Sequence, residues 1–196
     1  MKHTIITLSR QFCTGGINIA QQVAKTLNIP CYDKELITLA AKKSGLSEEA
    51  IAASEKRHTG SLLYGLYTMG ADLPLNDQVF IIQSQVIRQL AEKGPCIIVG
   101  RCADYVLRDD PQVLSVFLHA GLEYRKEVGR KSGQLPREMD DRALENLIHK
   151  EDKRRSGYYN YYTEYRWGAA EHYDLCLNSE MGTETCARLI LEAAKG

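Results

Sequence analysis

Two short stretches place residues where they could handle an anion. The first, S-R-Q-F-C-T-G-G-I-N (Ser9 to Asn18), follows a β-branched and apolar run from Thr4 to Leu8. It leads into apolar residues at Ile17, Ala20, Ala24 and Leu27, the spacing of a helix that buries one face. A strand, a glycine-bearing turn and a helix leave unpaired N–H groups at the helix start, where the helix dipole also favours negative charge. The N–H groups of Thr14 to Ile17 are therefore the expected phosphate cradle, with Cys13 and Asn18 flanking it and Gly15-Gly16 allowing close approach. A complete phosphate loop reads G-x-x-x-x-G-K-[ST], and here only Gly15 fits; Arg10 stands at the first glycine, Gly16 at the lysine and Ile17 at the hydroxyl. An ordinary tight turn is the competing reading.

The second stretch is Gly100-Arg101-Cys102-Ala103-Asp104, directly after the apolar run Cys96-Ile97-Ile98-Val99. Such a run marks a strand covered on both faces, and ligands of open α/β sheets gather beyond its carboxyl end. Arg101 is thus a candidate anion ligand, against the alternative of a structural ion pair with Asp104 or a neighbouring acid. Further cations lie in the charge-dense segment from Tyr124 to Arg155, among them Arg125, Arg154 and Arg155. Its plainer reading is two solvated helices laced by pairs such as Glu151 with Arg155.

The elements that must position these residues alternate along the chain. Strands are expected at 4–8, 29–32, 96–99, 113–118 and 175–177, with helices between them. Lys34 to Lys43 has helical spacing stopped by Ser44-Gly45, and Ser47 caps a new helix with Leu46 and Ile51 placed as a hydrophobic staple. Glu55 to Leu75 has no steady period and reads as a long loop, a lid or a partner surface. Asn76 or Asp77 caps the next helix, which runs to Lys93. Further helices start near Leu122 and Thr183. Tyr158 to Trp167, rich in tyrosine, reads as core or interface packing. The alternation implies a parallel α/β sandwich.

Composition narrows the function. The 196 residues fit one domain, and acids and bases balance at 25 each, so no global charge favours nucleic acid or an anionic membrane. There is no apolar run long enough for a membrane span and no signal-peptide pattern, so a cytoplasmic protein is expected. The six cysteines form no C-x-x-C pair and read as reduced core residues.

The stretches S-R-Q-F-C-T-G-G-I-N-I-A, Y-D-K-E-L-I, I-I-V-G-R-C-A-D-Y-V-L, L-E-Y-R, D-K-R-R-S-G-Y-Y-N-Y-Y-T-E-Y-R-W and Y-D-L-C-L-N-S together resemble the cytidylate kinase-like family of P-loop nucleoside monophosphate kinases. The resemblance spans nearly the whole chain. It implies a P-loop fold with a five-stranded parallel sheet of order 2-3-1-4-5 and helices on both faces. It also implies a single domain over 1–196, with an acceptor-binding insertion about 34–76 and a lid about 122–158. ATP and Mg²⁺ would be the cofactors and nucleotides the substrates, with a homodimer left open.

By the same resemblance Asp33, Gly100, Arg101, Asp152 and Arg155 would bind the acceptor, with Asp104 standing in for the acid that is replaced by Cys102. Arg125 matches the arginine at the start of the lid. The chain departs from the family at the lysine and hydroxyl of the loop and at Val99, where true cytidylate kinases have an acid, so no metal ligand is assigned. Charge for the transferred phosphate would then come from Arg10, Arg125, Arg154 and Arg155. Two other readings remain: a nucleotide sensor without turnover, and an assembly protein using the Glu55–Leu75 loop and the tyrosine cluster.

Overall fold

The computed structural model describes residues 2–56, 74–136 and 138–196. Strands β1 (Ile5–Arg10), β2 (Cys31–Tyr32), β3 (Cys96–Val99), β4 (Val113–His119) and β5 (Leu175–Asn178) form one sheet in the order β2-β3-β1-β4-β5. Every pairing is parallel. Parallel neighbours need crossover connections, and the helices supply them. These are α1 (Gly16–Leu27), α2 (Glu35–Ser44), α3 (Glu48–Lys56), α4 (Leu75–Lys93), α5 (Ala103–Val106), α6 (Leu122–Lys131), α7 (Asp141–Tyr162) and α8 (Thr183–Lys195).

Alternation along the strands splits the core into two layers. Ile6, Leu8, Val116 and Leu118 face α1 and α8, where Ile19, Val23, Cys186 and Ile190 meet them. Ile5 and Ile98 face the other way, onto Leu36 of α2, Ile87 and Leu90 of α4 and Val106 of α5. Two smaller clusters lie beyond the sheet. Ala40, Ile51 and Val79 hold α2, α3 and α4 together, while Leu135, Leu144 and Ile148 form a core in the segment that carries α6 and α7.

Local chemistry explains several boundaries. Ser47 Oγ accepts from Ala50 N–H at 3.1 Å, the expected cap of α3, and Leu46 packs on the cluster containing Ile51. Helix α4 starts at Leu75, ahead of the expected cap, because Pro74 sits in an extended conformation as its first flanking residue and no side chain caps the end. Asp77, one of the two expected caps, accepts instead from the Tyr162 hydroxyl at 2.9 Å. The expected Glu55–Leu75 loop falls for the most part at 57–73, outside the described residues. Among the described residues no helix is long and apolar enough to cross a membrane.

Candidate functional site

Strand β1 continues beyond the expected end at Leu8, because Ser9 and Arg10 still pair with Phe117 and Leu118 of β4. Arg10 therefore shares the face of Ile6 and Leu8, the face against which α1 packs. Its stem crosses Gly16: a Cβ there would lie 3.2 Å from Arg10 Cγ and 3.2 Å from Leu118 Cδ1. Its guanidinium continues to Gly100, where a Cβ would collide with Nη1. The space above the first residue of α1, left open by glycine, is filled by Arg10. Its Nη2 pairs with Asp33 Oδ1 at 3.4 Å.

Between Arg10 and α1 the chain makes a tight turn with Cys13 at φ 62° and Gly15 at φ 73°. Thr14 Oγ1 donates to the Gln11 carbonyl at 3.1 Å, and Asn18 N–H turns back to the Gly15 carbonyl at 3.0 Å. The N–H groups of Thr14, Gly15, Gly16 and Ile17 meet no acceptor among the described residues. Over them lies a cavity of about 330 Å³, walled also by Arg10 and Arg155. Cys13 lines it as a thiol, since burial outweighs Arg125 and Arg155 and pushes its pKa up to about 11.

A larger cleft of about 740 Å³ opens past β3. Gly100, Arg101 and Cys102 all have positive φ (78°, 55° and 56°), a sharp reversal that carries Arg101 back over the sheet edge. Arg101 Nη1 donates to the Asp33 carbonyl at 2.8 Å and lies 3.5 Å from Asp33 Oδ1. Of the two acids, Asp33 and not Asp104 is the one it pairs with. Asp104 is 6 % exposed and turns inward, accepting from Tyr159 Oη at 2.5 Å and Ser9 Oγ at 3.4 Å. Burial raises its pKa, against the hydrogen bonds that lower it. Asp104, expected as an acceptor ligand, lies beneath the cleft and outside its lining, braced against Tyr159 and Ser9.

The cations of α7 divide their work differently from the expected helix pairs. Glu151 pairs with Arg154 at 3.0 Å, one residue short of the expected Arg155. Arg155 instead donates from Nη1 to the Arg10 carbonyl at 2.9 Å and lies over the Phe12 ring at 5.3 Å. Burial, then Arg10, then Arg154 push its pKa down, to about 9. An anion placed beside Arg155 would favour its charged form.

Arg154 and Arg155 line the larger cleft, whereas Arg125 and Asp152 line neither cavity. Those two grip Phe12: its N–H donates to Asp152 Oδ1 at 2.7 Å and its carbonyl accepts from Arg125 Nε at 2.7 Å. The two cavities share one wall, made by Arg10, Asp33, Lys34, Glu35 and Arg155. Sequence reading missed Lys34 and Glu35, although their place directly after Asp33 at the end of β2 was the available signal. It also missed Tyr159 and the grip on Phe12, which join residues 55 and 140 positions apart.

A protein-held metal finds little here. Ile17 and Val99 offer no oxygen at the two positions where the family supplies one, and no group of three His, Cys, Asp or Glu is arranged to hold an ion among the described residues. Among the described residues, side chains alone assemble no Mg²⁺ site.

The sheet order, the turn between β1 and α1 and the helical segment between β4 and β5 define a P-loop kinase fold. The chain belongs to the cytidylate kinase-like family, whose sequence model matches residues 5–181. An uncharacterized protein from Eubacterium ventriosum superimposes with a TM-score of 0.71 at 26% identity, over 100% of this chain and 99% of that one. Shikimate kinase from Bacteroides thetaiotaomicron gives 0.59 at 13% identity, over 98% and 99%. A gluconokinase from Sinorhizobium meliloti gives 0.53 at 12%, over 99% and 92%, and both of these likenesses are of fold alone. No curated protein sequence matches the chain.

Proposed function

We propose that this chain transfers a phosphoryl group from ATP to a small phosphorylated acceptor, a nucleoside monophosphate of the cytidylate kind. The observation that carries the reading is the shared wall. A cavity lined by open N–H groups meets a second, arginine-bearing cleft at Arg10, Asp33 and Arg155. Two anions held on either side of that wall would bring donor and acceptor phosphates together.

In this reading the N–H groups of Thr14 to Ile17 hold the donor phosphates at the helix start. Arg10 and Arg155 supply the charge that the lysine of a complete loop would bring, and Arg154 adds to it from α7. Arg101, steered by Asp33, holds the acceptor phosphate in a fork suited to its oxygens. The γ-phosphorus leaves its bridging oxygen and bonds an acceptor phosphate oxygen, which is already anionic and needs no base. Positioning and charge therefore provide the acceleration. Mg²⁺ enters as the counterion of the nucleotide. The insertion at about 34–76 would shape the acceptor cleft, and the segment at about 122–158 would close the donor side.

A second reading, nucleotide binding without turnover, is favoured by Gly16 and Ile17 in place of lysine and hydroxyl. Consumption of ATP with a panel of nucleoside monophosphates, with and without Mg²⁺, separates the two. Turnover with at least one acceptor is expected, and Arg101→Ala should then weaken that acceptor by roughly 1.5–3 kcal/mol, the worth of a charged hydrogen bond. ATP binding without turnover for any acceptor would establish the binder instead.

A further inference from the structure

Asp152 commits both carboxylate oxygens before any substrate arrives. Oδ1 accepts from Phe12 N–H at 2.7 Å, and Oδ2 pairs with Arg125 Nη2. Arg125 Nε closes the ring on the Phe12 carbonyl at 2.7 Å. The pair is largely buried, with side-chain exposures of 5% for Arg125 and 16% for Asp152. Both polar groups of one loop peptide unit's residue are thus satisfied by α6 and α7, from far along the chain.

Apolar packing reinforces the grip. Phe12 and Cys13 belong to the cluster of Leu135, Leu144 and Ile148, so the loop shares a core with the segment above it. Gly129 of α6 makes this approach feasible, since a Cβ there would lie 2.7 Å from Cys13 Sγ. The next residue after Phe12 is the left-handed Cys13, a conformation that persists only where its surroundings over-determine it. The open N–H groups begin at the next residue, Thr14.

We propose that Asp152 and Arg125 are positioning residues of the donor site, fixing the backbone at Phe12 so that the N–H groups of Thr14 to Ile17 point into the smaller cavity. They do not read the acceptor. Asp152 lines neither cavity and would have to release the loop to reach a base. This rests on the donor-site reading above, so the test uses nucleotide binding as well as turnover.

ATP affinity is measured by calorimetry for the wild type, Asp152→Asn, Arg125→Met and the double variant, with acceptor KM and kcat where turnover is present. Each single change is expected to weaken ATP about tenfold or more, and the double no more than the worse single, because the two residues act as one unit. Acceptor KM should stay within about twofold. Arg125→Lys, which keeps the charge but lacks the forked geometry, should recover only part of the loss and serves if Asp152→Asn does not fold. Arg130→Ala removes the nearby surface pair with Asp141 at 2.5 Å and should leave ATP affinity unchanged, separating loop positioning from general loosening of α6.

A raised acceptor KM with unchanged ATP affinity would overturn the proposal and return Asp152 to the acceptor. Additive losses in the double variant would also overturn it. Wild type that binds ATP without turnover sinks only the kinase reading, and the binding arm still decides the proposal. Wild type that binds neither ATP nor inorganic triphosphate overturns the donor site and the positioning role together.

Discussion

The stem of Arg10 crosses α1 at a position without a side chain, and that geometry explains two departures from the loop pattern at once. A lysine at position 16 and an arginine at position 10 would claim the same volume, since a Cβ on Gly16 already approaches Arg10 Cγ to 3.2 Å. Gly16→Lys alone should therefore cost about 1–3 kcal/mol, as overpacking does, read from urea unfolding midpoints. Combined with Arg10→Ala, which removes Cγ and the guanidinium but leaves Leu118 Cδ1 and the Cβ of residue 10 in place, the same lysine should regain part of that stability and restore ATP affinity to within about threefold of wild type. Additive losses would show that the two positions do not compete. The sequence exposed both substitutions singly; their relation was not legible, because it depends on β1 running on to Arg10 and on the face that alternation then assigns.

At the scale of elements, α7 is tied to α5, just past β3, by a buried bond, Tyr159 Oη to Asp104 Oδ2 at 2.5 Å. That bond favours the charged carboxylate, while burial opposes it and leaves the Asp104 pKa raised. A raised folded pKa means that the native state holds the proton more tightly than the unfolded chain. Its stabilising contribution is full below the ordinary carboxyl value of 3.8 and is lost as pH climbs through the raised one. Tyr159→Phe removes a bond that lowers this pKa, so the loss should extend to higher pH. The variant should cost about 1–3 kcal/mol near neutrality and visibly less near pH 4, by parallel denaturant titrations. A cost independent of pH would mean that the tyrosine acts only by packing.

Local signals located β3 to the residue and placed Gly100-Arg101 just past it, because a continuous apolar run and a glycine are written in consecutive residues. The inward turn of Asp104 was not, since Cys102 and Asp104 are two apart on a reversal whose three positive φ values no propensity foretells.

Across the whole molecule, formal neutrality conceals a local gathering of arginines where the ends of β1, β2 and β3 meet α7. Sequence order scatters these cations from Arg10 to Arg155, and only the 2-3-1-4-5 sheet gathers them. The gathering has a consequence beyond either cavity. Because Arg10, Asp33 and Arg155 bound both, ligands of the two cavities would, on the proposed reading, lie phosphate to phosphate across a single layer of side chains. Two nucleosides joined through a chain of five phosphates would then span both, and the second contact would be intramolecular. Effective concentrations for such linked ligands raise affinity by about 10²–10⁴ over either half without new contacts. The compound should therefore bind far more tightly than ATP, and Arg101→Ala should erase much of that advantage while leaving ATP alone unchanged. Equal affinity for the linked compound and for ATP would mean that the cavities do not serve one reaction, however close their walls.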